Sequence, residues 1–370
     1  MTITILCAGA LARPRAAAQH SEPAVGVPLP RVLSDGALAR AMRRARVVAH
    51  RRQTALVPDE LPDEAWLRER FGVDGSVAAC ALPQFGPAGS QLLVRPVHLH
   101  LAMDHLVLAQ PDRLELGRDQ ADALAEHANA VLADEGLRLH VATADTWCLD
   151  ALDAHNGPAD VAALAALLAR SARMAAGRSI DAYQPSGAAA RRWRQLSTLM
   201  QMTWFEHPVN VAREAAGHLP INALWLEGRA GNPTRRPFAR VAAADAWVTG
   251  LARRAGIDTC PIDAHRAGAD EARGWAAAQQ ALDASGDLLL APDFWQQPVS
   301  DGDRPAWEQA WLSFERWFAA LANASPRLSG DELRLVLTGE RSTIELQRSP
   351  ADRWKAWRRL RLAALVREAT

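Results

Sequence analysis

The chain has almost no tyrosine, no closely spaced cysteines, no net charge and no long apolar run. Each absence excludes something. Cys7, Cys80, Cys148 and Cys260 are scattered without a CxxC spacing, which argues against a disulfide framework. Lys+Arg and Asp+Glu both number 42, so no overall basic field favours nucleic acid and no acidic one opposes it. No stretch approaches the roughly 20 apolar residues of a membrane span. The opening "MTITILCAGALA" imitates a signal peptide, but no Lys or Arg precedes its short apolar run. A first β-strand is the better reading, and a soluble cytoplasmic protein is expected. What is abundant is Ala, Leu and Arg, with 13 Trp against 1 Tyr. With 370 residues and 49% hydrophobic content, the chain can bury a large core, in about two domains.

Along the chain, "ITIL" (Ile3 to Leu6) reads as a buried strand, and His20 to Pro30 as a Pro-rich loop. "GALARAMRRARVVAHRR" reads as a basic-faced helix, and "VPDELPDEAWLRERFG" as a linker into a short helix. "QLLVRPVHLHLAMDHLVLAQP" alternates on both sides of "AMD" and predicts a β-hairpin. An amphipathic helix, "RDQADALAEHANAVLADEG", and a strand, "LRLHVA", follow and complete a small α+β unit. Helices then dominate as far as "AAARRWRQLSTLMQMTWFE". Beyond it, the strands "INALWLE", "GIDTCPI", "GDLLLAP" and "DELRLVLTG" alternate with helices. That alternation predicts a doubly wound parallel sheet, joined by "ITIL". The expected division is 1–60 for the first strand and helix of the core, 61–90 for a linker, 91–150 for the inserted α+β cap, and 151–370 for the rest of the core.

The densest polar cluster is "HPVNVAREAAGHLPINALWLEG", His207 to Gly228. A preceding helix must stop before Pro208. Asn210 is placed to cap a short helix that Gly217 can close at a left-handed position. Pro220 and Asn222 lead into the strand "ALWLE". Helix punctuation accounts for Pro208, Asn210 and Gly217, and accounts less well for His207, Arg213 and Asn222.

The string "HPVNVAREAAGHLPINALWLEGRAG" resembles the segment "HPVN-x-x-R-x-x-x-G-x-x-P-x-N-x-x-W-x-x-G-x-G" of the archaeal-type cofactor-independent phosphoglycerate mutases. It is still more similar to bacterial RpfE-type regulatory proteins related to them. "RPVHLHLAMDHLVL", "GLRLHVATADTWCL", "GRSIDAYQPSG", "ADAWVTGLARRAGI", "GDLLLAPDFWQQP" and "LVLTGERST" extend the likeness over most of the chain. The resemblance implies an α/β fold: an alkaline-phosphatase-like doubly wound core with an inserted α+β cap.

Those mutases use two divalent ions and a serine that accepts the phosphoryl group. Carried over residue by residue, the first strand's Asp falls on Ala8, beside Gly9, and the second Asp falls on Ala12. In "TGERST" Glu340 could still bind an ion, but Arg341 stands where a histidine ligand belongs, and a guanidinium is always protonated. Pro292 takes another histidine's place, Asp293 is out of register, and Ser34 is the only nearby serine. Losing most ligands of both ions removes such a site.

Other patterns carry less. His98 and His100 share one strand face near His105 and could grip a metal, or could simply form a polar sheet face. Trp307, Trp311, Phe314 and Trp317 recur at helical spacing, as a buried stripe would. The C-terminal "RWKAWRRLRLAALVREA" reads as a basic amphipathic helix. "GRAGNP" is a Gly-containing loop after a strand, where α/β sheets bind ligands.

The expectation is therefore a metal-site-deficient, non-catalytic phosphoglycerate-mutase-like protein with a regulatory or ligand-binding role and no cofactor. An active mutase or related phosphotransferase, and a structural interaction protein, stay open as alternatives. The expected partners are a small anion (a phosphate ester or a carboxylate) and a protein of unspecified kind, with neither membrane nor nucleic acid. His207, Asn210, Arg213, Asn222, Arg229 and Arg341 are the candidate ligand-binding residues. Arg213, Arg341 and the "EGRAGNP" loop are expected to converge on one cleft, with Glu227 and Glu340 as acids that could balance the arginines.

Overall fold

A computed structural model describes residues 1–12, 14, 31–81, 91–153, 158–262, 271–283, 285–355 and 357–369. The expected loop from His20 to Pro30 lies outside the described residues. Its strands, in chain order, are β1 (Thr2–Cys7), β2 (Arg46–Arg52), β3 (Leu92–Val97), β4 (Leu99–Ala102), β5 (His105–Leu108), β6 (Leu137–Thr143), β7 (Thr146–Ala151), β8 (Ala223–Arg229), β9 (Arg240–Ala243), β10 (Asp258–Pro261), β11 (Leu288–Ala291), β12 (Glu332–Thr338) and β13 (Ser342–Arg348). The chain divides into two compact units. One comprises Met1–Phe71 and Arg235–Thr370, the other Gly72–Thr234.

The first unit is built on a seven-stranded mixed sheet of order β10-β9-β11-β1-β12-β13-β2. Five strands, β10 to β12 in that order, run parallel. The hairpin partner β13 and the edge strand β2 run antiparallel. β1 and β11 are almost wholly apolar and buried, as strands covered on both faces must be. The helix Arg304–Ala324 begins at Asp303, whose carboxylate accepts the Ala306 N–H at 2.9 Å. It buries the stripe Trp307, Trp311, Phe314 and Trp317, as its spacing predicts. These rings join Phe294 and Trp295, with Trp295 and Trp311 centroids 4.9 Å apart. The basic stretch expected to continue as helix breaks after Met42 and becomes β2. Val47 and Val48 suit an extended chain, and pairing with β13 satisfies the backbone. Its exposed arginines discourage further strand addition at the edge.

The second unit holds an antiparallel sheet of order β6-β7-β3-β8. The helices Arg118–Leu132, Pro158–Ala165 and Ala190–Trp204 share one apolar core with it, through Leu124, Leu164, Trp193, Trp204, Trp147 and Leu226. The expected hairpin resolves into two parts. β3 enters the four-stranded sheet, whereas β4 and β5 pair with each other around Met103 and Asp104. This α+β unit runs from Gly72 to Thr234 rather than from 91 to 150. The strand β8 therefore does not belong to the seven-stranded sheet. Its register with β3, from Leu92↔Arg229 to Val97↔Ala223, fixes it in the other one.

Candidate functional site

The string from His207 to Gly228 lies wholly in the second unit. The helix Ala190–Trp204 ends, and a new helix, Pro208–Ala215, starts with proline in its first turn. Its cap is His207, not Asn210. The His207 Nδ1 accepts the Val209 N–H at 3.2 Å. The ring also packs on His127, with centroids 4.9 Å apart. Burial first, and His127 second, hold the His207 pKa below its ordinary value. Gly217 has φ +80°, as the closing turn requires.

Asn210 lies inside the helix, and 2% of it is exposed. Its Nδ2 donates to the carbonyls of Trp204 at 2.8 Å and Ile221 at 2.7 Å, and its Oδ1 accepts the Ile221 N–H at 2.8 Å. One amide thus ties the end of the preceding helix to the entry of β8. Asn222 does similar work further away. It accepts the Leu99 N–H and donates to the Leu99 carbonyl, both at 2.8 Å, so it pins β4. His98 is held beside it by a bond from Nδ1 to the Pro220 carbonyl at 2.8 Å.

Arg213 is the largest buried polar side chain of the string, only 1% exposed. Its Nε donates to the Leu219 carbonyl at 2.9 Å, its Nη1 to Gln120 Oε1 at 2.7 Å, and its Nη2 to the Leu114 carbonyl. Burial lowers its pKa, and Glu115 opposes that shift. A five-donor planar fork is what three divergent acceptors require. Arg229, at the end of β8, donates to the Asp74 carbonyl at 2.8 Å. These residues staple backbone segments together.

Arg341 belongs to the first unit. It sits in the turn between β12 and β13 of the other sheet, exposed, and donates to the Leu56 carbonyl. The expected convergence assumed that β8 and β12 end at one edge, and they belong to different sheets. Glu227 pairs with neither arginine. It accepts Arg95 Nε at 3.0 Å and the Ala172 N–H at 3.0 Å. Arg95 was not singled out by the sequence, because its partner lies 132 positions away.

The carboxyl ends of β11, β1 and β12 adjoin, and they carry the positions that the resemblance assigns to metal ligands. Ala8, Ala10, Leu11 and Ala12 are all buried there. The Leu11 N–H donates to the Thr338 carbonyl at 2.9 Å. A Cβ on Gly339 would stand 2.9 Å from the Leu11 Cβ, so the turn after β12 closes directly on Leu11. On the β11 side Trp295 is fully buried, and a Cβ on Gly9 would fall 3.2 Å from its own Cβ. Trp307 Nε1 donates to the Gly9 carbonyl at 3.2 Å. Asp293 Oδ1 accepts the Gln296 N–H at 3.2 Å as a turn residue. Asp293 and Glu340 are the acids that follow β11 and β12, and the alanine, leucine, tryptophan and proline side chains around them carry no metal-ligating atoms, so the residues here do not fit two divalent ions. Ser34 lies exposed in the helix Val32–Asp35.

Elsewhere, His98 and His100 stack with centroids 6.1 Å apart, and His105 pairs with Asp104 at 3.0 Å. Among the described residues no group of three or more His, Cys, Asp or Glu is placed to hold a metal. A cavity of about 730 Å³ in the second unit is lined by Arg118, Asp122, Glu126, Arg138 and His140, and by none of the expected residues.

The chain shares its fold with the PH0037 protein from Pyrococcus horikoshii. That likeness has a TM-score of 0.59 at 13% identity, covering 98% of this chain and 91% of the other. A cofactor-independent phosphoglycerate mutase from Thermoplasma acidophilum is also similar, at TM-score 0.44 and 13% identity, over 98% of this chain and 94% of that one. No protein-family model and no curated protein sequence matches the chain.

Proposed function

We propose that the protein is a metal-site-deficient relative of the cofactor-independent phosphoglycerate mutases, akin to the RpfE-type regulatory proteins. In this reading an alkaline-phosphatase-like core is kept as a scaffold, and the chain acts in the cytoplasm through regulation or binding, without phosphoryl transfer. The observation that carries it is the packed carboxyl edge of the seven-stranded sheet. Ala8 and Ala12 stand where two aspartates would serve, and Leu11 and Trp295 are buried beside them. The His207 to Gly228 string supports the relationship in a particular way. Its polar residues hold backbone to backbone, so they can persist when catalysis is lost. Asn210, Arg213 and Asn222 already spend polar groups on the fold, which argues against their serving as the anion-binding residues.

A mutase assay tests the reading. Purified protein supplied with manganese should not interconvert phosphoglycerates. Turnover that disappears with chelator would overturn it.

A further inference from the structure

We propose that Trp354 and Trp357, with the basic residues around them, dock this protein on an anionic lipid surface. The sequence suggests one basic amphipathic helix across this region. Instead, Pro350–Trp354 forms a short 3-10 turn, the described residues of the stretch between Trp354 and Leu362 are not helical, and the helix spans only Leu362–Ala369. Leu362 and Val366 of that helix are buried in the first unit's core. Its apolar face is thus already used, and most of the basic residues lie before it.

That stretch is pinned. The buried Asp352 accepts the Ser349 N–H at 2.8 Å, Lys355 Nζ at 2.7 Å and Arg358 Nη1 at 2.9 Å. The Leu360 N–H donates to the Arg43 carbonyl at 2.8 Å, and Arg44 donates to the Arg353 carbonyl. A tethered backbone nevertheless leaves Trp354 74% and Trp357 76% exposed. Every other tryptophan whose side chain is described is buried. Exposure of these two is therefore a departure from how this chain otherwise treats indoles. The Arg353 guanidinium sits 5.2 Å over the Trp354 ring.

Between Asp352 and Arg361 the sequence places five bases and one acid, in a chain of zero net charge. Indole rings at headgroup depth, surrounded by cations that meet lipid phosphates, are the chemistry of an interfacial anchor. Nucleic acid is the less favoured occupant, because no reading motif accompanies the patch and the chain has no overall basic field. The sequence expectation set membranes aside for want of a spanning run. No described helix is long and apolar enough to cross a bilayer, but a surface anchor needs no such run.

The test is co-sedimentation of the full chain with phosphatidylcholine vesicles, with and without phosphatidylglycerol. Binding should require the anionic lipid and weaken as salt is raised. The pairs Trp354→Ala with Trp357→Ala, and Arg359→Glu with Arg361→Glu, should each lower it by about tenfold or more. Melting temperatures should not change, since these side chains are exposed. Equal binding to neutral vesicles, no binding, or variants that bind like the wild type would overturn the proposal. So would a single-stranded oligonucleotide that displaces the vesicles.

Discussion

Replacing Asn210 by alanine should destabilise the second unit far more than losing a helix cap would. The structure supplies the magnitude. Two donations, to the Trp204 and Ile221 carbonyls, and one acceptance, from the Ile221 N–H, vanish together. The site is nearly solvent-free, so these backbone groups cannot turn to water without local opening. Each buried polar group left unpaired costs about 1–3 kcal/mol. Partial relaxation of the carbonyls brings the sum to roughly 3–5 kcal/mol. A cap would cost only about 1 kcal/mol. For a unit of about 150–250 residues, each kcal/mol shifts the melting temperature by about 2–4 °C, so a drop near 10 °C is expected. Two units preclude a single two-state analysis. Amide exchange at Ile221, read beside the melting curve, therefore localises the effect. Protection at Ile221 should fall as melting temperature falls. A loss near 1 kcal/mol, with Ile221 still protected, would show that the clasp does not hold the strand entry.

Three further outcomes follow from the same geometry. Because the folded pKa of His207 is depressed, the stability it contributes should be present above about pH 6.5 and be lost as pH falls through the folded value. His207→Ser, which can cap without titrating, should flatten that part of the pH–melting profile, and an unchanged profile would refute the assignment. Arg213→Lys should lose about 2 kcal/mol or more, since one ammonium cannot reach Leu219, Gln120 and Leu114 together. Millimolar phosphate should not restore it, and restoration in urea melts would return Arg213 to an anion site. Gly339→Ala should cost about 1–3 kcal/mol by driving a methyl into Leu11, and a neutral result would mean that the sheet edge is looser than described.

The strands β1 and β11 were legible because a strand buried on both faces is a mostly apolar run, and β12 because its "LVLT" end is buried in the same way. β2 was not, since an edge strand may carry charges on every side, and "RVVAHRR" also continues a helical pattern. The starting proline and closing glycine of the helix Pro208–Ala215 act locally, so sequence revealed them. The partners of Asn210, Arg213 and Asn222 are backbone atoms chosen by tertiary packing. Leu99 lies 123 positions from Asn222, and a carbonyl has no residue-type signature. The assignment of β8 failed for a related reason. Its apolar run states that it is buried, but says nothing about which sheet buries it. The positions that the resemblance assigns to metal ligands could, in contrast, be read directly as Ala8, Ala12 and Pro292, because residue identity states whether a carboxylate or imidazole is present.

Metal content tests the central claim most directly. Purified protein, equilibrated with manganese and desalted, is measured by elemental analysis. Less than about one ion per chain is expected, because the side chains of Ala8, Ala12 and Pro292 offer no ligand atoms. Two retained ions per chain, with one lost in Glu340→Gln, would contradict it.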